Sequence, residues 1–399
     1  HRPADWPSRC MTEFRICVST LLVVRRPGRT TRPPASVRFV LSEALVKAIF
    51  DDSRLESRDL SAGAESLLRR LAGEGARIRR VGAQIDGVGS AVEHIGTPRG
   101  VLVVGAEARF IRAVLEPLCP VPIVAWSLPH LPAWVGPLDL VVGVDQQEVP
   151  WDGAASLAEP SYTVGAVREA ARRGAAILVA TAEDSPAWRT AGGASVRVPV
   201  CGDDPLAAAV AVLAVLGRLG LGPQTDPNQV GRAADMIAEE SSPFREMPFN
   251  RAKELACAMA DATPLLWGGS VLAARSARRV AEALRRATGE PALCADAAEL
   301  LPVICSSDPR DPFSDPEVDG PQQRPVLLVM DDHVPDPRRA GLEEVAQRFD
   351  VPVHAIDLPL GVDEDSDPVR TYVTLLMQGR YMAAYVALGL GRLDDVVQL

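Results

Sequence analysis

The stretch VLVVGAEARFIRAVL (101–115) decides the fold class. Its opening run, Val101–Gly105, is apolar, rich in β-branched residues and closed by a glycine, and a helical stretch then follows to Leu115. A strand with no polar alternation belongs in a parallel sheet covered by helices on both faces. The pattern continues outward. Pro122–Trp126 and Leu138–Val144 read as strands, Gly165–Arg173 as a helix stopped by Gly174, Ala176–Thr181 and Val196–Val200 as strands, and Leu206–Leu219 as an Ala/Val/Leu helix. Upstream, Leu41, Leu45 and Ile49, then Leu67, Leu68 and Leu71, recur at helical spacing within 42–80, with Ser61 placed to start a helix.

After the turn-rich link Gly220–Asn228 and a helix over Val230–Glu240, a second series begins. It runs helix Arg251–Asp261, strand Pro264–Trp267, helix Ser270–Ala287 and strand Ala292–Cys294. Residues 305–325 are crowded with Asp, Pro and Ser and read as a long exposed loop. Strand Val326–Met330, helix Pro337–Phe349, strand Pro352–Ile356 and a final helix Pro368–Leu390 complete the series. Two runs of alternating strands and helices imply two open parallel sheets in tandem, an α/β protein.

Composition bounds the partners. The 399 residues carry 42 Lys+Arg against 52 Asp+Glu, a net charge of −10, which repels phosphate backbones and anionic lipid. Nucleic acid and membrane are therefore not expected as partners. No apolar run reaches the roughly 20 residues of a membrane helix. The seven cysteines (Cys10, Cys17, Cys119, Cys201, Cys257, Cys294, Cys305) show no C-x-x-C spacing, so neither a disulfide framework nor a metal site is expected. Residues 1–37 are rich in Arg and Pro without periodicity, and Arg25-Arg26 follows the apolar run Ile16–Val24 where a signal peptide would carry small residues. These readings predict a disordered leader or translated upstream sequence, a fold starting near Val37 or Ser42, and a soluble cytoplasmic protein.

In open parallel sheets ligands bind outside the carboxyl ends of the strands, which singles out four places. Gly105, before Ala106-Glu107, opens a helix whose N–H groups suit phosphate, although Glu107 would repel an anion and an ordinary βα turn fits equally. Asp145-Gln146-Gln147 follows a strand, and the two Gln amides could bond a sugar or face solvent in a long loop. Gly268-Gly269-Ser270 allows a ligand, or a tightly packed helix, to come close to a strand end. Glu299, among Ala and Leu, is either a general base or an exposed helical carboxylate. Asp331-Asp332-His333 lacks a second set of ligands for a metal. There is no G-x-S-x-G, G-x-G-x-x-G or Walker loop, so hydrolase, dinucleotide and NTPase readings lose their support, and no cofactor is expected.

Residues 247–294, MPFNRAKELACAMADATPLLWGGSVLAARSARRVAEALRRATGEPALC, resemble the opening of the C-terminal domain of bifunctional phosphoglucose/phosphomannose isomerases. Asn250-Arg-Ala-Lys253 stands where that family has Asn-Pro-Ala-Lys, and Trp267-Gly268 where it has Tyr-Gly. Val326–Arg339, the tail from Arg380 to Leu388, and AVREAARRGAAILVAT (166–181) resemble further segments. The resemblance implies two tandem sugar isomerase (SIS) domains, each an open parallel sheet flanked by helices, over 38–222 and 223–399. It also implies a homodimer, a sugar phosphate as ligand, and glucose 6-phosphate or mannose 6-phosphate isomerisation. Glu299 lines up with the family's base, and Thr163 is retained near the start of the helix after the phosphate loop.

The departures fall on the site. Gly105-Ala-Glu-Ala108 stands for a Gly-Gly-Ser turn, Asp145-Gln-Gln-Glu148 for the start of a Ser/Thr-rich phosphate loop, and Gly202-Asp-Asp-Pro205 for a segment with an Arg. Leu301 and Pro302 take the places of a His and an Asn. The resemblance therefore implies either an isomerase with a diverged site or a non-catalytic protein that binds a carbohydrate derivative.

Overall fold

In a computed structural model, the described residues are 49–92, 94–128, 130–146, 162–193, 195–200, 204–307, 324–359 and 367–393. The expected leader (1–37), Gln147, Cys10, Cys17, Cys201 and nearly all of the 305–325 loop lie outside them. Helices α1 (Ser53–Glu56), α2 (Ala62–Ala72), α3 (Glu74–Gln84) and the short α4 (Gly89–Val92) precede the first sheet. Ser61 caps α2 as its position predicts, its hydroxyl accepting from the Ala64 N–H at 3.2 Å.

The first sheet is built from β1 (Val101–Gly105), β2 (Ile123–Trp126), β3 (Leu140–Val144), β4 (Ala176–Thr181) and β5 (Val196–Pro199). They are all parallel, in the order β2-β1-β3-β4-β5. Helices α5 (Ala108–Leu115), α6 (Thr163–Arg173), α7 (Pro186–Ala191) and α8 (Pro205–Arg218) connect or follow them. Val101–Val104 and Leu140–Val142 are buried on both faces, which is why these strands read as unbroken apolar runs. Leu138 and Asp139 precede β3 rather than joining it.

After α9 (Pro227–Glu240) and α10 (Arg251–Met259), the second sheet takes β6 (Ala262–Gly268), β7 (Leu293–Cys294), β8 (Arg324–Met330) and β9 (Val353–Ile356). These are also all parallel, in the order β7-β6-β8-β9. Its helices are α11 (Val271–Thr288), α12 (Ala297–Cys305), α13 (Pro337–Arg348) and α14 (Pro368–Gly389). Helices α7 and α12 add to the elements the periodicity predicts. Both are short, and α12 contains Pro302, which removes an internal hydrogen bond and masks the helical signal.

Among the described residues, four helices start on an Asp-Pro pair: Asp204-Pro205, Asp226-Pro227, Asp336-Pro337 and Asp367-Pro368. In each, the Asp carboxylate accepts a backbone N–H of the first turn, and Pro fills the position whose N–H is unused.

The outer face of the first sheet packs on α6 and α7, and that of the second on α12 and α13. The inner faces of both sheets share one core, filled by α8, α10, α11 and α14. Helix α14 is buried nearly all round. It crosses α11 closely because Gly379 has no side chain; a Cβ there would collide with Val280. No helix among the described residues is long and apolar enough to cross a membrane.

Candidate functional site

The strand orders mark two crevices. In each sheet the first strand has its sequence neighbour on one side and the third strand on the other, so connections leave in opposite directions. The crevice outside the carboxyl ends of those two strands is where an open α/β sheet binds ligands. For the first sheet it lies between β1 and β3, for the second between β6 and β8.

At the first crevice, Gly105 and Thr163 touch. Gly105 has φ +92°, and a Cβ there would collide with the Val144 carbonyl oxygen and lie 2.5 Å from Thr163 Oγ1, so only glycine fits. The Ala106 N–H donates to the Val144 carbonyl at 3.1 Å, fastening the β1–α5 turn to the end of β3. Thr163 is the first residue of α6; it is buried, and its hydroxyl has no hydrogen-bond partner. Neither α5 nor α6 has a side-chain cap at its start. Their first N–H groups therefore gain no acceptor from the side chain of the residue that precedes the helix.

Gln146 has a different role from the sugar contact considered above. It is buried, and its Oε1 accepts the Asp204 N–H at 3.0 Å, joining the end of β3 to the start of α8. Behind it lies a buried charge cluster. Arg77 donates to Asp204 through Nε and to Glu74 through Nη2, the latter at 2.6 Å. Burial, and then the Asp204 carboxylate nearby, push the Glu74 carboxyl up to about 7.

Glu107 does not confront an approaching anion with an unpaired charge. It sits at φ 55° before α5, its side chain is buried, and Oε1 accepts from Arg279 Nη2 of α11 at 2.7 Å. The partner stands 172 positions along the chain, beyond the reach of any local pattern.

At the second crevice the polar groups at the strand ends pair with one another. Ser270 caps α11, accepting the Ala273 N–H at 3.0 Å, and its hydroxyl donates to Asp332 Oδ2. A Cβ on Gly268 would collide with the Ala273 backbone, and one on Gly269 would lie 2.8 Å from Asp336 Cβ. Both glycines thus serve close packing of α11 and α13 at the strand end. Burial raises the Asp332 carboxyl above its ordinary value. Burial also acts to raise Asp331, but its hydrogen bond from Arg339, with further contacts, outweighs this and holds it low.

Glu299 lies in the first turn of α12, just after β7. Its side chain is exposed and makes no hydrogen bond or ion pair with a described residue, histidines included. No group of three or more His, Cys, Asp or Glu among the described residues could hold a metal ion. A surface cavity of about 550 Å³, lined by Glu343, Gln347, Asp350, Val353 and His354, opens at the amino end of β9, away from both crevices.

Comparison with known proteins gives no matching family model and no matching curated protein. Solved structures do match. The tagatose-6-phosphate ketose/aldose isomerase of Escherichia coli superposes with a TM-score of 0.59 at 14% identity, over 83% of this chain and 94% of that one. A putative phosphosugar isomerase from Salmonella typhimurium gives 0.54 at 14% identity, covering 79% and 95%. The C-terminal domain of the Francisella tularensis glucosamine-fructose-6-phosphate aminotransferase gives 0.50 at 12% identity, covering 81% and 95%. At such identities the likeness is one of fold: two parallel sheets in tandem, each flanked by helices.

Proposed function

We propose that this chain binds a sugar phosphate at the crevice between β1 and β3. One observation carries the reading: both helices that begin there, α5 and α6, start without a side-chain cap, beside a buried Thr163 hydroxyl that has no partner. Uncapped N–H groups at helix starts suit a phosphate dianion. Gly105 and Thr163 are the binding residues in this reading, with Gln146 holding the strand end in place; Gln147 belongs to the same proposal from its sequence position. The solved structures of like fold include phosphosugar isomerases, which supports the ligand class.

A second reading is aldose–ketose isomerisation of glucose 6-phosphate or mannose 6-phosphate, with Glu299 moving the proton between C1 and C2 and Gly268, Gly269 and Ser270 lining the second crevice. Its support is the position of Glu299, exposed one turn beyond a strand end of the second sheet. A homodimer of two-domain chains (38–222 and 223–399) in the cytoplasm is part of the same proposal, and light scattering behind a sizing column reads the dimer directly.

Calorimetry with fructose 6-phosphate tests the binding reading, and a coupled isomerase assay tests the second. Binding without turnover upholds the first alone. Turnover abolished by Glu299→Gln upholds both, and turnover that Glu299→Gln leaves unchanged removes Glu299 as the base. A flat titration with fructose 6-phosphate and with inorganic phosphate removes the binding reading.

A further inference from the structure

We propose that Arg275, a residue of the second lobe, is the cation that receives the phosphate at the first lobe's crevice. This rests on the binding reading above and deepens it, because among the described residues the charged side chains just after β1, β3 and β5 of the first lobe include the acids Glu107, Asp145 and Asp204.

Two arginines of α11 face the β1–α5 turn, and they are held differently. Arg279 donates through both terminal nitrogens, to Glu107 Oε1 at 2.7 Å through Nη2 and to Glu282 at 2.7 Å through Nη1. Arg275, four residues earlier on the same helix face, has its side chain 12% exposed, and its Nη2 stands 4.0 Å from Glu107 Oε2. That is too long for a hydrogen bond. Its Nε is buried without a partner, and so is Glu107 Oε2. A third orphan points to the same place. The Tyr372 hydroxyl of α14 is buried with no partner, its ring is stacked on Phe110 of α5 at 3.9 Å, and Glu107, Arg275 and Arg279 all act on its titration.

The charges explain how an acidic turn tolerates a dianion. In the buried part of this junction two guanidinium groups face one carboxylate, since Glu282 is 31% exposed and reaches water. Glu107 neutralises Arg279, which leaves Arg275 as the unmatched positive charge. Buried polar groups in native proteins find partners. A phosphate oxygen would supply the acceptor that Arg275 Nε lacks, and a guanidinium fork binds phosphate in a bidentate way that a lysine cannot copy. Glu107 then acts in two ways. It fixes Arg279 in place, and it opposes any anion that does not reach Arg275.

Calorimetry on the full chain tests this with fructose 6-phosphate, fructose and inorganic phosphate as probes. Arg275→Gln is expected to weaken fructose 6-phosphate binding by about tenfold or more, the loss of one charge-assisted contact, and to leave any response to fructose unchanged. Arg275→Lys, keeping charge without the fork, should fall between Arg275→Gln and the unaltered chain. Glu107→Gln should tighten inorganic phosphate severalfold. A folded Arg275→Gln protein that binds fructose 6-phosphate within twofold of the unaltered chain overturns the proposal. If Arg275→Gln does not fold, the Glu107→Gln titration decides, and unchanged or weaker phosphate binding overturns it. Failure of the underlying binding reading is distinct, because it shows as a flat titration of the unaltered chain.

Discussion

The two crevices share a strand order and differ in how their helices begin. At the second, α11 is capped by Ser270, α13 by Asp336, and Ser270 is in turn bonded to Asp332. At the first, α5 and α6 have no side-chain cap, and the acid in the turn, Glu107, reaches away to an arginine of the other lobe. One edge satisfies its helix starts internally, and the other leaves them open. A shared topology thus says where a site can be, and the capping residues say which lobe keeps it available.

The largest test of this contrast is the charge supplied across the lobes. Arg279→Ala would remove the only hydrogen-bonded partner of the buried Glu107 carboxylate among the described residues and leave it facing Arg275 at 4.0 Å, and should cost about 3 kcal/mol in urea unfolding. Arg339→Ala at the second edge breaks a pair whose Arg is 36% exposed, and should cost about 1 kcal/mol or less. Equal losses would show that the first edge does not depend on the other lobe.

Titration is the next test. Glu74, behind the first edge, has its carboxyl raised from 4.5 to about 7. Its protonated form favours the folded state, so its contribution is complete below pH 4.5 and is lost as pH rises through about 7. Glu74→Gln cannot ionise, and should be more stable than the unaltered chain at pH 8, by up to about 3 kcal/mol, and lose that step in the pH profile. Parallel pH profiles for the two proteins would remove Glu74 as the source.

The smallest effects are at the helix starts themselves. Ser270→Ala removes a cap and a donor to Asp332, and should cost about 1 kcal/mol. Thr163→Val removes a hydroxyl that has no partner, and should stay within about 0.5 kcal/mol while weakening fructose 6-phosphate. A large stability loss from Thr163→Val would mean that the hydroxyl is already satisfied in the unliganded chain.

The architecture was legible because its signals are local. Val101–Gly105 and Ala176–Thr181 are strands over the whole of the apolar runs that announce them, and Ser61 and Ser270 cap the helices they precede. The Asp-Pro pairs carry an equally local start signal: it agrees with the expected start of α14 at Pro368 and places the beginnings of α8 and α9 at Pro205 and Pro227, ahead of the expected Leu206 and Val230. The site was legible only in part. Gly105 and Thr163 stand at strand and helix ends that periodicity can find, but Gln146 is taken up by the Asp204 N–H, 58 positions away, and Glu107 by Arg279. The sign of the field at the first crevice is set by pairs of this kind, which no window of sequence contains. The one local hint is the spacing of Arg275 and Arg279, i and i+4 in the Ala-rich helix α11, of which Arg279 is buried, since a guanidinium in such a setting needs an acid partner from elsewhere.

Helix α14 has a consequence for the order of events in folding. It lies in the core that both inner sheet faces share, yet it is read from residues 368–389, after every strand of the two described sheets has been made. On the ribosome, the first sheet can pair its strands early, but its inner face cannot be covered until those residues emerge. For that interval an apolar surface built from β1, β3 and α8 stays open to other chains, so the nascent protein is most exposed to aggregation between the completion of the first sheet and the emergence of residues 368–389. A chain cut before Pro368 would keep that exposure permanently.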